Sequence, residues 1–186
     1  MNDKQRTRAS KFLSKHLRHD PAGLGLTLDI GGWVPVDALL DGCRRAGLPL
    51  SRDGLSEIVT RSDKQRFGFD ETGTRIRANQ GHSTEVDLQL EPTEPPGVLY
   101  HGTGADTVPV VLRDGLRKMR RHHVHLSPDV ETAARVGARH GRPVVLAVDA
   151  AAMARAGHSF YVSANGVWLT DDVPPAFLRP TEGPTA

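Results

Sequence analysis

The sequence has one cysteine, Cys43, among 186 residues, so neither an internal disulfide framework nor a CxxC metal or redox motif can be built. Aromatic residues are scarce, at 5%. No apolar run approaches the roughly 18 residues that a membrane-crossing helix needs, and the opening MNDKQRTRASK lacks the apolar stretch of a secretory signal. A cytoplasmic location with no membrane partner is therefore expected. GxSxG, GxxxxGK(S/T) and GxGxxG are all missing, which leaves serine-hydrolase, P-loop and Rossmann readings without a motif. Charge of one sign is not in large excess either: 24 Lys and Arg face 22 Asp and Glu, a net of +2. Affinity for a polyanion must then come from local clusters.

Two such clusters are present. Lys4, Arg6, Arg8, Lys11, Lys15 and Arg18 follow one another with no acid between them, and residues 113–142 carry eight Lys or Arg against three acids. A run of this kind is often only a solvated face, but two in a small chain point to an anionic partner. The second cluster contains KMRRHHVHLS, Lys118 to Ser127. If His123 to Leu126 is a strand, His123 and His125 share a face, with Arg121 on the turn leading in. A cation and an imidazole would then meet in one pocket; a basic surface loop entering an edge strand accounts for the same residues. His101, His122, His123 and His125 have no cysteine or carboxylate at a zinc-ligand spacing, so no metal is expected.

The chain is long enough for one domain or two small ones, and its 25% charged and 38% apolar residues are ordinary for a globular protein. EPTEPPG, Glu91 to Gly97, is incompatible with a helix or central strand and divides the chain into residues 1–91 and 97–180, with 92–96 as linker. Before the linker, Phe12, Leu13, His16 and Leu17 predict a helix from about Arg6 to Arg18 that Pro21 closes. Val36 to Ala46 predicts a second, with Leu39, Leu40 and Cys43 inward and Gly47 just beyond; Ser51 caps a third carrying Leu55, Ile58 and Val59. Phe67 and Phe69, then Thr74, Ile76 and Ala78, alternate around a turn at Asp70 to Gly73. Three short helices and a ribbon suggest a winged-helix module.

After the linker, Gly97 to Thr103, Val144 to Val148, and a hairpin of Phe160 to Val162 and Val167 to Leu169 predict one small sheet with few helices. Ser127-Pro128 is expected to open a helix with Pro128 at its first position, closed by Gly141. Pro180 to Ala186 reads as a frayed tail. The class is thus α+β. Two single positions have ordinary explanations on their own: a cation at Arg18-His19 suits the end of the first helix, and Arg66 suits a surface beside Phe67.

Together, however, SKxLxxxLRH at Ser10 to His19, GWV at Gly32 to Val34, SDKQRF at Ser62 to Phe67, QGHS at Gln80 to Ser83, LYHGT at Leu99 to Thr103, RxxVHLS at Arg121 to Ser127, GARHG at Gly137 to Gly141 and NGVWLT at Asn165 to Thr170 form a set. That set resembles the RNA 2'-phosphotransferase family, in the family's order and over nearly the whole chain. The resemblance implies an N-terminal winged-helix RNA lobe and a C-terminal ADP-ribosyltransferase-like NAD lobe. It implies transfer of an internal RNA 2'-phosphate to NAD, through a 2'-phospho-ADP-ribosylated RNA. The products would be 2'-OH RNA, nicotinamide and ADP-ribose 1'',2''-cyclic phosphate. The family's Arg-His-Arg-Arg catalytic set falls on Arg18, His19, Arg66 and Arg121. Its NAD signature falls on His101, His125 and Val167, with Gly102, Thr103 and Ser127 beside them. NAD is consumed, no metal is implied, the RNA partner carries an internal 2'-phosphate, and a monomer is expected. A mono-ADP-ribosyltransferase acting on nucleic-acid phosphate ends would share the first step. A winged-helix DNA-binding regulator would account for the first 90 residues but not for LYHGT or RxxVHLS.

Overall fold

The computed structural model describes residues 1–62 and 64–181, in two units, Met1–Gln89 and Leu90–Ala186. The class is mixed α+β, with six α-helices and short, entirely antiparallel strands among the described residues.

In the first unit, α1 (Asp3–Arg18) begins three residues before the expected Arg6. Asn2 is the reason. Its side chain accepts from Gln5 N at 2.9 Å while the Gln5 side chain accepts from Asn2 N at 3.0 Å, a reciprocal cap that satisfies two otherwise unpaired donors. The helix buries Ala9, Leu13, His16 and Leu17, and stops where His19 gives its N–H to Lys15 O at 2.9 Å. A two-residue strand, β1 (Val34–Pro35), follows, then α2 (Val36–Arg45) and α3 (Arg52–Thr60). Ser51 caps α3 as expected, accepting from Gly54 N at 3.1 Å. The hairpin is β2 (Phe67–Phe69) and β3 (Arg75–Ala78), with Phe67 opposite Ala78.

The sequence reading missed β1, which pairs Val34 with Ile76 and makes β3 the central strand; two residues carry no alternation to detect. Leu13, Leu17, Leu39, Leu55, Ile58 and Ile76 form a core at 1% exposure or less. On the other side of β3 the guanidinium of Arg77 lies 4.4 Å from the centre of the Trp33 ring, and that of Arg75 lies 5.6 Å away.

The second unit runs β4 (Leu99–Gly104), α4 (Val108–Asp114), β5 (Val124–Leu126), α5 (Val130–Gly137), β6 (Pro143–Val148), α6 (Ala150–Arg155), β7 (Phe160–Val162), β8 (Trp168–Thr170) and β9 (Leu178–Pro180). One small sheet with few helices was the expectation. Instead there are two three-stranded sheets, ordered β4-β6-β9 and β5-β8-β7, and three α-helices. Among the described residues the sheets meet at one bridge, where Tyr100 and Ser127 exchange backbone hydrogen bonds of 2.9 and 2.8 Å. Leu99, Leu126, Leu146, Met153 and Phe160 are among the side chains that fill the space they enclose.

Three local readings change. Asp129, not Ser127, caps α5, accepting from Thr132 N at 2.7 Å; Ser127 still belongs to the sheet, so Pro128 precedes the cap instead of starting the helix. Gly141 follows a 3-10 turn at Ala138–His140 that continues α5. The start of that tail belongs to a strand: Pro180 stands opposite Leu146 in β9, and Thr181 N donates to Val145 O at 3.0 Å. Proline is tolerated there because β9 is an edge strand. The rest of that tail, residues 182–186, lies outside the described residues. Within 92–96, Thr93 gives its N–H to Phe160 O at 2.8 Å. No helix among the described residues is long and apolar enough to cross a membrane.

Candidate functional site

The helical period places Ser10, Lys11, Ser14, Lys15 and Arg18 along one side of α1. That side forms a wall of a groove of about 700 Å³, and the segment after α3, with Arg61, Ser62, Lys64 and Arg66, lines it as well. Arg18, His19 and Arg66 all line this groove, so the three predicted catalytic residues of the first unit are brought together.

Each is held by a contact that runs far along the chain. Arg18 sits in the last turn of α1, and its carbonyl accepts from Ser83 N at 2.9 Å and Thr84 N at 3.2 Å. His19 Nδ1 lies 2.8 Å from Ser83 Oγ. QGHS therefore ties down the end of the helix that carries the Arg-His pair. Arg66 enters the hairpin with its carbonyl accepting from Asn79 N at 2.9 Å, while Asn79 Nδ2 donates to Gln65 O at 2.6 Å. Sequence reasoning quoted QGHS without a role for Ser83 and passed over Asn79; nothing in their spacing marks contacts with Arg18, His19 or Gln65.

The groove's charge is uneven. Arg6 and Arg61 face Glu57 at 3.1 and 3.6 Å, and Lys15 faces Asp20 at 3.7 Å. Lys11 and Arg66 have no carboxylate within ion-pair distance among the described residues. Cations concentrated on one concave surface favour a multiply charged anion, and guanidiniums can bind it bidentately.

In the second unit His101, on β4, has Nδ1 at 3.1 Å from the carbonyl of His125, on β5. A carbonyl only accepts, so the proton is on Nδ1, and Nε2 keeps its lone pair. Arg121 Nη1 lies 3.2 Å from His125 Nδ1. A guanidinium only donates, so His125 holds its proton on Nε2. The two imidazoles are thus opposite tautomers, and the expected meeting of cation and imidazole is observed in Arg121 and His125. Burial holds the His101 pKa below its ordinary 6.5; the His125 carbonyl partly offsets this, and the charges of His140 and Arg121 add to it. Burial likewise lowers His123, whose ring packs 5.4 Å from that of Tyr161.

The remaining predicted residues are placed differently from one another. Gly102 and Thr103 are buried beneath α5, where a Cβ on Gly102 would lie 1.7 Å from Ala133 O. Ser127 is half-buried at the bridge with Tyr100. Val167 stands just before β8, donating its N–H to Ser163 Oγ at 3.1 Å. Arg121 is exposed on a turn that three contacts to the segment after β8 brace: Arg117 to Asp172, Lys118 N to Asp172 and Lys118 Nζ to Asp171, each 2.9 Å. Asp171 and Asp172 were not singled out in the sequence; a pair of acids following a strand carries no signal of its own.

Residues 4–172 match the family described as RNA 2'-phosphotransferase, Tpt1 / KptA family. The chain belongs to the RNA 2'-phosphotransferase family. Relatives in this family include proteins of Trichormus variabilis, 59% identical over 179 residues, and Nostoc punctiforme, 58% identical over 179 residues. A third, from Streptomyces griseus, is 57% identical over 185 residues. In each case 96% of this chain aligns, with 98%, 99% and 98% of the respective relative. All three bear the name "Probable RNA 2'-phosphotransferase". The stretch matched to the RNA 2'-phosphotransferase family contains Arg18, His19, Arg66 and Arg121, and also His101 and His125.

Proposed function

We propose that the protein is an NAD-dependent RNA 2'-phosphotransferase, moving an internal RNA 2'-phosphate to NAD and releasing 2'-OH RNA, nicotinamide and ADP-ribose 1'',2''-cyclic phosphate. The observation that carries the reading is the groove in which Arg18, His19 and Arg66 share one cavity with further cations. Residues 1–91 act as a winged-helix RNA lobe and 97–180 as an ADP-ribosyltransferase-like NAD lobe, with 92–96 between them. Three helices followed by a hairpin support the first assignment, and paired small antiparallel sheets support the second.

A 2'-phosphate next to a 3'-phosphodiester is a dense anion, and Arg18 and Arg66 supply planar, permanently charged donors to it. Bound NAD supplies an electrophilic C1'' whose nicotinamide leaves as the phosphate oxygen attacks. Phosphate is already anionic, so the position of Val167 needs no carboxylate base. In the second step the phosphorus passes from the RNA 2'-oxygen to the neighbouring ribose hydroxyl, and charge builds on its equatorial oxygens. Arg18, Arg66 and Arg121 stabilise that charge, and His19 moves a proton to or from the reacting oxygens. His101 suits the NAD side: its Nε2 lone pair can accept from a ribose hydroxyl, and burial keeps the ring neutral at pH 7. His125, Ser127 and the packed Gly102-Thr103 step set the surface around it.

The test is a purified-protein assay with an oligonucleotide bearing one internal 2'-phosphate. Conversion to the 2'-OH form is expected only with NAD added, and it should persist in EDTA because arginines do the work a metal ion does in many phosphoryl transfers. Survival of the phosphate in excess NAD, or ADP-ribose retained on the RNA as the end product, defeats the reading; loss of turnover to the chelator defeats its metal-free part.

His101 gives a pH dependence of defined sign. Its pKa in the folded protein is below 6.5, so acid protonates the unfolded or ligand-free ring first and works against the neutral form. NAD affinity, read by calorimetry, should be flat at and above pH 6.5 and weaken only at more acid pH, as the ring is protonated at its lowered pKa, with His101→Gln removing that dependence. An affinity that rises on acidification would mean the ring binds NAD as a cation.

A further inference from the structure

We infer that the α1 groove continues past the reacting phosphate as a track for the backbone of the adjoining single-stranded RNA, held by Lys11 and Lys15 and by the hydroxyls of Thr7, Ser10 and Ser14. The inference rests on the reading of the substrate as RNA and concerns a part of the groove that the two chemical steps do not use.

Four observations carry it. First, Lys11 lies seven residues before Arg18 on the same wall of the groove, roughly 10 Å back along the helix, so it carries the cationic wall well beyond the turn that holds Arg18. Its ammonium has no ion-pair partner among the described residues, and that of Lys15 has only Asp20 at 3.7 Å. Second, Thr7, Ser10 and Ser14 form a row of hydroxyls along the same wall. A hydroxyl inside a helix commonly bonds back to the preceding turn, as Thr60 does to Ser56 O at 2.9 Å. None of these three does so among the described residues, which leaves each able to donate to a phosphate or bond a ribose 2'-OH. Across the groove, Ser62 Oγ is buried without a hydrogen-bond partner among those residues.

Third, among the described residues the groove's lining has no Phe, Tyr or Trp, the rings on which single-strand binders most often stack bases. What remains is a surface that contacts phosphate and sugar, and so holds flanking nucleotides whatever their sequence. The cations and hydroxyls line a concave groove and not an open face, which favours a flexible single strand that can follow it over a stiff duplex. Fourth, the far end is closed electrostatically. Asp3 lines it, and Glu57 neutralises Arg6 and Arg61, so the attraction fades a turn or so beyond Lys11.

The experiment is fluorescence anisotropy with NAD absent, from about 50 to about 200 mM salt, on three labelled RNAs. One is a single-stranded oligoribonucleotide with an internal 2'-phosphate, the second is the same oligomer with a 2'-OH, and the third is a dinucleotide with the 2'-phosphate alone. Wild-type protein should bind the phosphorylated oligomer tighter than the dinucleotide. Each lysine contributes about 0.7 to the slope of log affinity against log salt for a single strand, so Lys11→Ala combined with Lys15→Ala should flatten the oligomer's slope by about 1.4. Over that salt range the wild-type affinity then falls about seven-fold more than that of the double variant. Dinucleotide binding should be unchanged, and permuting the flanking bases should matter little. Both lysines are exposed and alanine favours helix, so the fold is not at stake.

An unaltered slope, or an equal loss for dinucleotide and oligomer, overturns the track while leaving the proposed reaction standing. If the 2'-OH oligomer binds as well as the phosphorylated one and both show the flattened slope, the track stands and the 2'-phosphate reading fails.

Discussion

Replacing Arg18, His19 or Arg66 by alanine is expected to slow the second chemical step by roughly 10²- to 10³-fold while slowing the first much less, so that RNA carrying 2'-phospho-ADP-ribose accumulates. The reason is where charge develops. Attack on C1'' needs the phosphate merely positioned, because the growing positive charge is on the sugar. Transfer of the phosphorus needs its oxygens stabilised, and the groove offers Arg18 and Arg66 for that charge and His19 for the proton. Arg121→Ala should slow both steps, because the same guanidinium donates to His125 Nδ1 and so helps fix the NAD side. Gel-resolved time courses with labelled phosphate would show the intermediate as a slower band. If no variant of Arg18, His19 or Arg66 ever accumulates it, the division of roles is wrong.

Gly102→Ala should unfold the second unit at a much lower temperature. The added Cβ would stand 1.7 Å from Ala133 O, 2.6 Å from Ala133 C and 2.9 Å from Gly137 N, all backbone atoms of α5. No flexible side chain can move aside, so the helix must lift off β4. Overpacking of this kind costs about 3 kcal/mol or more, which for a unit of this size lowers the melting temperature by on the order of 10–20 °C. Gly97→Ala is the control, since a Cβ there meets nothing within 4 Å. Melting curves followed by circular dichroism decide it; a Gly102→Ala transition within a degree or two of the control would mean that α5 is not pinned to β4.

The parts of the fold that the sequence made legible are those with side-chain periodicity. Leu13 and Leu17, Leu39 and Cys43, and Leu55 and Ile58 repeat at helical spacing, and all six are buried. The alternation of Ile76 and Ala78 likewise marked β3. What stayed hidden lacks period or has the wrong one. The segment Val108-Pro109-Val110-Val111 has strand-forming residues yet begins α4, with Pro109 placed in the first turn where no N–H is required. AAAMAR has no polar face to contrast with its apolar one, and what sets α6 is Asp149, accepting from Ala152 N at 2.9 Å. β9 is three residues beyond Phe177 with two of them exposed.

The site divides in a similar way. Arg121 and His125 are four residues apart, near enough for strand alternation to foretell their contact. Arg18 and Arg66 share a groove only because β1, α2 and α3 fold between them, and no local pattern encodes that; the family motifs flagged both residues.

The brace on the turn before Arg121 bears on the thermodynamics of ligand capture. Immobilising a long side chain at the moment of binding costs about 0.5–1.5 kcal/mol, and ordering a loop costs more. Here Asp171 and Asp172 hold Lys118 and Arg117 already, so the turn is preorganised and its entropy is lost during folding, not during capture. A ligand meeting Arg121 therefore finds a guanidinium whose approach angle is set in advance. Because the two side-chain bridges lie at the surface, salt screens them, and ions loosen the aim of Arg121 as well as shielding its charge.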